Sequence, residues 1–293
     1  MQVKNTVNNT GVNNFFSGDM DTAENKFREA IKINPKDSSA YNNLAFLLQQ
    51  KGNLAEAESA ARKSVKINTG SSAALLNLGN ILVQKGNGEE GVQYITKAIE
   101  KDRNNAFAWE SLATISMMQH DYFSAEQCWQ TVVALKPGDA KNWIQLGLVK
   151  AGLKKLDDAV VCLQKAIETD SSNSLAWSQL GIMELMRNNF GIAEKALMNA
   201  LAIAPDDENS HYHLALVFLS QNNIHRAKKE FDRILQLSPN HVKVLTERGV
   251  LELGSTNPDA AKVYFKKALS IDPQCKKAAD YLQEILVPNA DLG

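Results

Sequence analysis

The chain has 293 residues, 44% hydrophobic and 22% charged, which is enough to bury a large core in two ordinary domains or one elongated array. Its 32 basic and 33 acidic residues leave a net charge of −1, so no cationic excess exists to neutralise a phosphate backbone, which argues against a nucleic-acid partner. Cys128, Cys162 and Cys275 are too few and too scattered for a disulfide framework, and the polar start MQVKNTVNNTGVNN carries no apolar signal segment, so a cytoplasmic location is expected.

The sequence repeats every 34 residues. Steps of 34 from Trp177 reach Trp143 and Trp109, and steps from Gly181 meet Gly or Ala in every copy. Steps from Ala193 meet Ala in every copy but one, where Gly91 stands. Eight gapless copies result: 4–37, 38–71, 72–105, 106–139, 140–173, 174–207, 208–241 and 242–275.

Each copy predicts two amphipathic helices, A and B. Helix A places large apolar residues at slots four, seven and eleven, as in Tyr41, Leu44 and Leu48, and helix B does likewise with Ala193, Leu197, Ala200 and Leu201. In the first copy Thr10 and Asn14 occupy apolar slots, so 5–14 is either a polar cap or the frayed start of a longer array. Turns such as Gly18-Asp19, Gly52-Asn53, Gly86-Asn87, Asn188-Asn189 and Asn222-Asn223 join A to B, because Gly and Asn accept the left-handed conformation that closes a helix. Small residues at slots eight and twenty let A and B approach, and proline at slot thirty-two (Pro35, Pro137, Pro205, Pro239, Pro273) is expected to end B. After the last copy, 276–287 predicts one capping helix, with Ala279, Leu282 and Leu286 inward, Lys276, Lys277, Asp280 and Glu284 outward, and Pro288 as its stop. The longest apolar run, 214–219, falls far short of a membrane span.

The motif W-x-x-L-G at 143–147 and 177–181, followed by the alanine, a bulky residue such as Phe231 or Phe265, and the proline, resembles the tetratricopeptide repeat. The resemblance implies an all-α, right-handed superhelix, a single solenoid over 1–293 with a C-terminal capping helix. It also implies a non-enzymatic scaffold or adaptor that binds an extended or helical peptide of a partner protein in a concave groove. No phosphate-binding glycine loop, metalloprotease motif or Cys-x-x-Cys is present, and neither catalysis nor a cofactor or metal is expected. His211 and His213 stand two apart and do not share a helix face; His211 fills the tryptophan slot and is expected to be packed and hydrogen-bonded. Cys128 and Cys162 recur at slot twenty-three, where helix spacing of roughly 8–10 Å disfavours a bridge and predicts buried thiols. The pairs Glu89-Glu90 and Asp157-Asp158 begin B helices, where they complement the helix dipole.

In the resembling family, slots two, five, six, nine, twelve and thirteen of helix A line the groove. Slot six reads Asn9, Asn43, Asn77, Ser111, Gln145, Gln179, His213 and Glu247, polar throughout. A side-chain amide can serve a peptide backbone as donor and acceptor, and Asn9, Asn43 and Asn77 are similar to the asparagine ladder of O-linked N-acetylglucosamine transferases. Mere solvation would also keep slot six polar, and both readings stand. Asn80, Phe15, Phe16, Phe46, Met117, Met118, Leu185 and Met186 add further candidates at slots nine, twelve and thirteen. Slot five never holds lysine, so the carboxylate clamp for chaperone C-termini is not expected. Two alternatives remain: a substrate-recruiting region of a larger enzyme such as a glycosyltransferase, and a self-assembling scaffold, that is, a homo-oligomer.

Overall fold

The computed structural model describes residues 2–286, with side chains over 6–286. Every regular element among them is an α-helix, and the chain divides into two compact units, 1–137 and 138–293. Unit one holds α1 (Gln2–Phe16), α2 (Met20–Ile33), α3 (Ser38–Gln50), α4 (Leu54–Ile67), α5 (Ser72–Gln84), α6 (Gly88–Lys101), α7 (Ala106–Met118) and α8 (Tyr122–Leu135). Unit two holds α9 (Ala140–Gly152), α10 (Leu156–Thr169), α11 (Ser174–Met186), α12 (Phe190–Ile203), α13 (Glu208–Ser220), α14 (Ile224–Leu237), α15 (Val242–Gly254), α16 (Pro258–Ile271) and α17 (Lys276–Leu286). Odd-numbered helices up to α15 are the A helices and even-numbered ones the B helices.

The A-to-B turn has one geometry in all eight copies. Slot fifteen is left-handed at Gly18, Gly52, Gly86, His120, Lys154, Asn188, Asn222 and Thr256. The next residue's N–H then returns to the slot-eleven carbonyl, as Asn53 does to Leu48 at 2.9 Å, satisfying a carbonyl the helix end would orphan. Asp19, Asn53, Asp121, Asn223 and Asn257 cap the following B helix with their side chains.

Proline at slot thirty-two is not what ends helix B. B stops at slot thirty in copies that have it (Ile33, Ile203) and in copies that lack it (Ile67, Lys101, Thr169). The stop is a residue at slot thirty-one that leaves the helical conformation, extended at Asn34, Asn68, Asp102, Asp170 and Asp272. At those positions its side chain also accepts the N–H two residues on, an Asx turn that competes with another helical turn. Proline agrees with that break but is dispensable to it.

Slot four supports the same loop from above. Trp109 Nε1 donates to the Arg103 carbonyl at 2.9 Å and Trp177 Nε1 to that of Ser171 at 3.0 Å. Buried His211 takes this role, with Nε2 2.9 Å from the Pro205 carbonyl and Nδ1 2.7 Å from Glu230 Oε2. It is the packed, hydrogen-bonded histidine its slot predicted. The Cys128 and Cys162 thiols are buried as well, and burial, helped by the charge of Asp121, pushes Cys128 up to about 11.

Two terminal expectations need adjustment. In α17 the packed stripe is Ala278, Tyr281, Leu282 and Ile285, whereas Ala279 and Leu286 are exposed. The helix is rotated by about one position because Tyr281 stacks on Phe265, with centroids 5.6 Å apart and planes 9° apart. Lys276, Lys277, Asp280 and Glu284 are exposed as expected, while Val287 and the stop at Pro288 lie outside the described residues. At the other end, α1 is a formed helix, and its Asn8 is buried against the next copy.

Candidate functional site

The A helices of unit one line a cavity of about 910 Å³. Its walls come from α3 (Phe46, Gln49), α5 (Leu76, Asn77, Asn80, Val83, Gln84) and α7 (Phe107, Glu110, Ser111, Thr114, Ile115, Met118), with Asn105 just before α7. No B-helix residue lines it, because B is turned to the core at slots twenty and twenty-four, as buried Ala57 and Ala61 show. The A helices therefore carry an open face of their own.

Five predicted site residues meet here: Asn77, Ser111, Phe46, Asn80 and Met118. Met118 is 73% exposed and Phe46 38%, so both keep apolar surface open to the cavity side. Asn43 lines a smaller adjoining space of about 160 Å³ with Val12, Phe15, Phe16 and Phe46. Phe15 packs 5.6 Å from Phe46 and 5.7 Å from Phe16, so aromatic surface continues from the first copy into the large cavity. Asn9 is exposed but lines neither space. Met117 is turned to packing, its sulfur accepting from Trp129 Nε1 at 3.3 Å.

Gln145, Gln179, His213 and Met186 belong to the A helices of unit two. Met186 is 56% exposed, and the other three are half-buried. His213 Nδ1 donates to the Asn209 carbonyl at 2.8 Å, leaving Nε2 as its open nitrogen. Burial, reinforced by Lys243, lowers its pKa and favours the neutral ring.

The polar groups are less independent than a row of slots suggests. Asn43 Nδ2 donates to Asn8 Oδ1 at 3.1 Å, Asn77 Nδ2 to Asn42 Oδ1 at 2.9 Å, and Gln49 Nε2 to Gln84 Oε1 at 3.0 Å. Each bond joins residues 35 apart, tying one slot to the neighbouring slot of the next copy. Glu110, the one charged residue lining the large cavity, is paired with Lys136 at 3.1 Å, and that Nζ lies 3.5 Å from the Phe107 ring centre. The cavity is thus lined by amides, hydroxyls and apolar surface, with its single charge neutralised.

Sequence reasoning missed Asn42, Phe107 and Leu76 as members of this face, although slots two and five were among those expected to line it. Comparing each slot only with itself at steps of 34 hides the contact at 35.

Comparison with known proteins agrees with this architecture. Profiles described as tetratricopeptide repeat match residues 26–59, 48–115, 140–173, 208–241 and 242–275. The chain belongs to the tetratricopeptide repeat family. Among solved structures, PilW, a widely conserved type IV pilus biogenesis factor, aligns with a TM-score of 0.63 at 20% identity, over 73% of this chain and 98% of its own. The Cut9–Hcn1 hetero-tetramer of APC/C aligns at 0.60 and 18% identity, over 91% of this chain and 52% of the other. The chain thus spans about half the length of that relative. YrrB, a tetratricopeptide protein with an unusual peptide-binding site, aligns at 0.56 and 19% identity, over 65% of this chain and 98% of its own. No protein of curated function matches the sequence. These likenesses establish the fold, one on which protein–protein interaction scaffolds are built. Among the described residues no helix is long and apolar enough to cross a membrane.

Proposed function

We propose that this tetratricopeptide chain is a non-catalytic adaptor, and that the A-helix face of unit one holds a segment of a partner protein. The observation that carries the reading is the 910 Å³ cavity built solely from A-helix slots and the loop residue Asn105. It combines partly exposed Phe46, Phe107 and Met118 with side-chain amides, the mixture that suits a peptide's apolar side chains and its backbone together. Neutralisation of Glu110 by Lys136 favours a segment with few charges over an acidic or basic tail. The fold of YrrB, which carries a peptide-binding site, is consistent with this role.

The test is affinity capture with the wild type beside the double variant Asn43→Ala/Asn77→Ala, each shown by circular dichroism to be folded. Proteins retained by the wild type should be lost from the variant, and a Gln145→Ala/Gln179→Ala variant should keep them. Retention by all three proteins would remove the site assignment.

A further inference from the structure

The small space beside the large cavity has a chemistry of its own. We propose that it is an anchor subsite for one phenyl ring, the side chain of a phenylalanine in the partner segment. The proposal rests on the peptide-binding reading above and adds to it which side chain that segment carries and where on the face it sits.

The space, about 160 Å³, lies between α1, α2 and α3 and is lined by Val12, Phe15, Phe16, Phe27, Phe46 and one amide, Asn43. Unlike the large cavity it reaches helix B, because Phe27 of α2, 2% exposed, is its floor. A Cβ built on Gly11 would stand 2.7 Å from Phe27 Cε1, so the bare glycine lets this ring pack against the backbone of α1. Phe16, 81% exposed, stands at the rim. An apolar protein cavity of about 150 Å³ stays dry and holds one benzene ring. Here the single polar side chain, Asn43, is already bonded to Asn8, which leaves little to hold water. No charged side chain lines the space, so nothing would offset the desolvation of a charged occupant. The occupant is apolar and about the size of one ring.

The rings already present favour an aromatic occupant over an aliphatic one. Phe15 meets Phe16 edge to face, with planes 83° apart, and meets Phe46 tilted at 59°. A phenyl group among them gains contacts of the same kind, beyond the area it buries, whereas a leucine only fills volume. Phe107 of the large cavity offers less, since Lys136 Nζ lies 3.5 Å from its ring centre and takes one of its faces.

The ring cluster belongs to the first step of the array. At the following step slots twelve and thirteen hold Gln49 and Gln50 and slot twenty-four holds Ala61; at the next, Val83, Gln84 and Ile95 stand there. Phe46 lines both spaces, so a segment held in the large cavity reaches the anchor at its α1 end.

The probe is N-acetyl-phenylalanine amide, titrated into the full chain with fluorine on its ten phenylalanines and followed by fluorine NMR. The resonances of Phe15, Phe16 and Phe46, assigned by single Phe→Leu variants, should shift, and those of Phe231 and Phe265, buried in unit two, should not. N-acetyl-alanine amide, which lacks the ring, should bind about tenfold more weakly or worse, the least expected from burial of one such side chain. N-acetyl-leucine amide should fall between the two. Val12→Phe, which fills the space from α1, should abolish the shifts, while Ile192→Ala, exposed in unit two, should preserve them. If Val12→Phe does not fold, Phe16→Ala removes the rim without touching the core and should weaken the probe in its place. A leucine probe that binds as tightly as the phenylalanine probe, or shifts that persist in the filled variant, would overturn the proposal. Affinity capture separates it from the reading it rests on. Proteins lost from Asn43→Ala/Asn77→Ala but kept by Val12→Phe would sink the anchor and leave peptide binding standing. Capture unchanged in both variants would remove the peptide-binding reading, and the anchor with it.

Discussion

A Cβ built on Gly79 would stand 2.8 Å from the carbonyl oxygen of Gly91, and one built on Gly91 would stand 2.7 Å from that of Gly79. The backbones of α5 and α6 touch at slots eight and twenty. Other copies fill the same crossing with alanine pairs, Ala45 with Ala57 and Ala113 with Ala125, all fully buried. An added methyl here meets backbone, which cannot rotate aside. Gly91→Ala should therefore lower stability by about 1–2 kcal/mol despite the better helix propensity of alanine. A fall in the urea midpoint checks this, and an unchanged or raised midpoint would show that the two helices part without cost.

Thr256 stands at the left-handed slot with φ of 58°, where Gly18, Gly52 and Gly86 stand in earlier copies. A β-branched residue is strained there, because its side chain crowds the backbone carbonyl. Thr256→Gly should raise stability by about 1 kcal/mol, with slower amide exchange in α15 and α16 as the local sign. Gly52→Thr should do the reverse, and matching melting curves for Thr256→Gly and wild type would refute the strain.

Arg248 occupies slot seven, where six earlier copies place leucine, and Glu252 occupies slot eleven, the place of Leu48 and Leu82. Both are buried, and they pair with each other. Arg248 Nε also meets Asp232 at 2.7 Å, and Glu252 meets Lys228 at 3.0 Å. Replacing Arg248 alone with Leu leaves a buried carboxylate short of a partner and should cost about 3 kcal/mol. The double variant Arg248→Leu/Glu252→Leu should recover most of that in chemical denaturation. If the single variant is as stable as the double, the network contributes nothing.

His211 links stability to pH. Burial opposes its charge, but the hydrogen bonds to Glu230 and to the Pro205 carbonyl outweigh both burial and the repulsion from Arg233, so its pKa lies above the ordinary 6.5. A raised folded-state value means the stabilisation is fully present below pH 6.5 and is lost as the pH climbs through the folded value. His211→Trp keeps a ring N–H for the carbonyl and removes the titration. The melting temperature of this variant should depend less on pH above 6.5 than that of the wild type, and parallel profiles would place the dependence elsewhere.

The fold was legible because it is written eight times. A period of 34, helical apolar spacing and turn residues at one slot are local properties, and each copy uses them locally: Gly52 takes its positive φ and Asn53 caps α4 as their chemistry requires. Proline is not the stop signal it suggests, since the Asx turns at Asn68 and Asp102 end helix B where proline is absent. The candidate site was legible in part. Asn77, Ser111, Phe46, Asn80 and Met118 were found from their slots, because exposure of helix A follows from which face helix B covers. What only the tertiary structure decided depends on how separate helices meet. Asn42 pairs with Asn77 across neighbouring copies, Lys136 past the end of α8 captures Glu110 of α7 within one copy, and a one-residue rotation of α17 brings Tyr281 onto Phe265 of the last copy. Periodicity states which residues face the same way, but hydrogen bonds and stacking depend on which of them come within about 3–6 Å, and packing sets that distance.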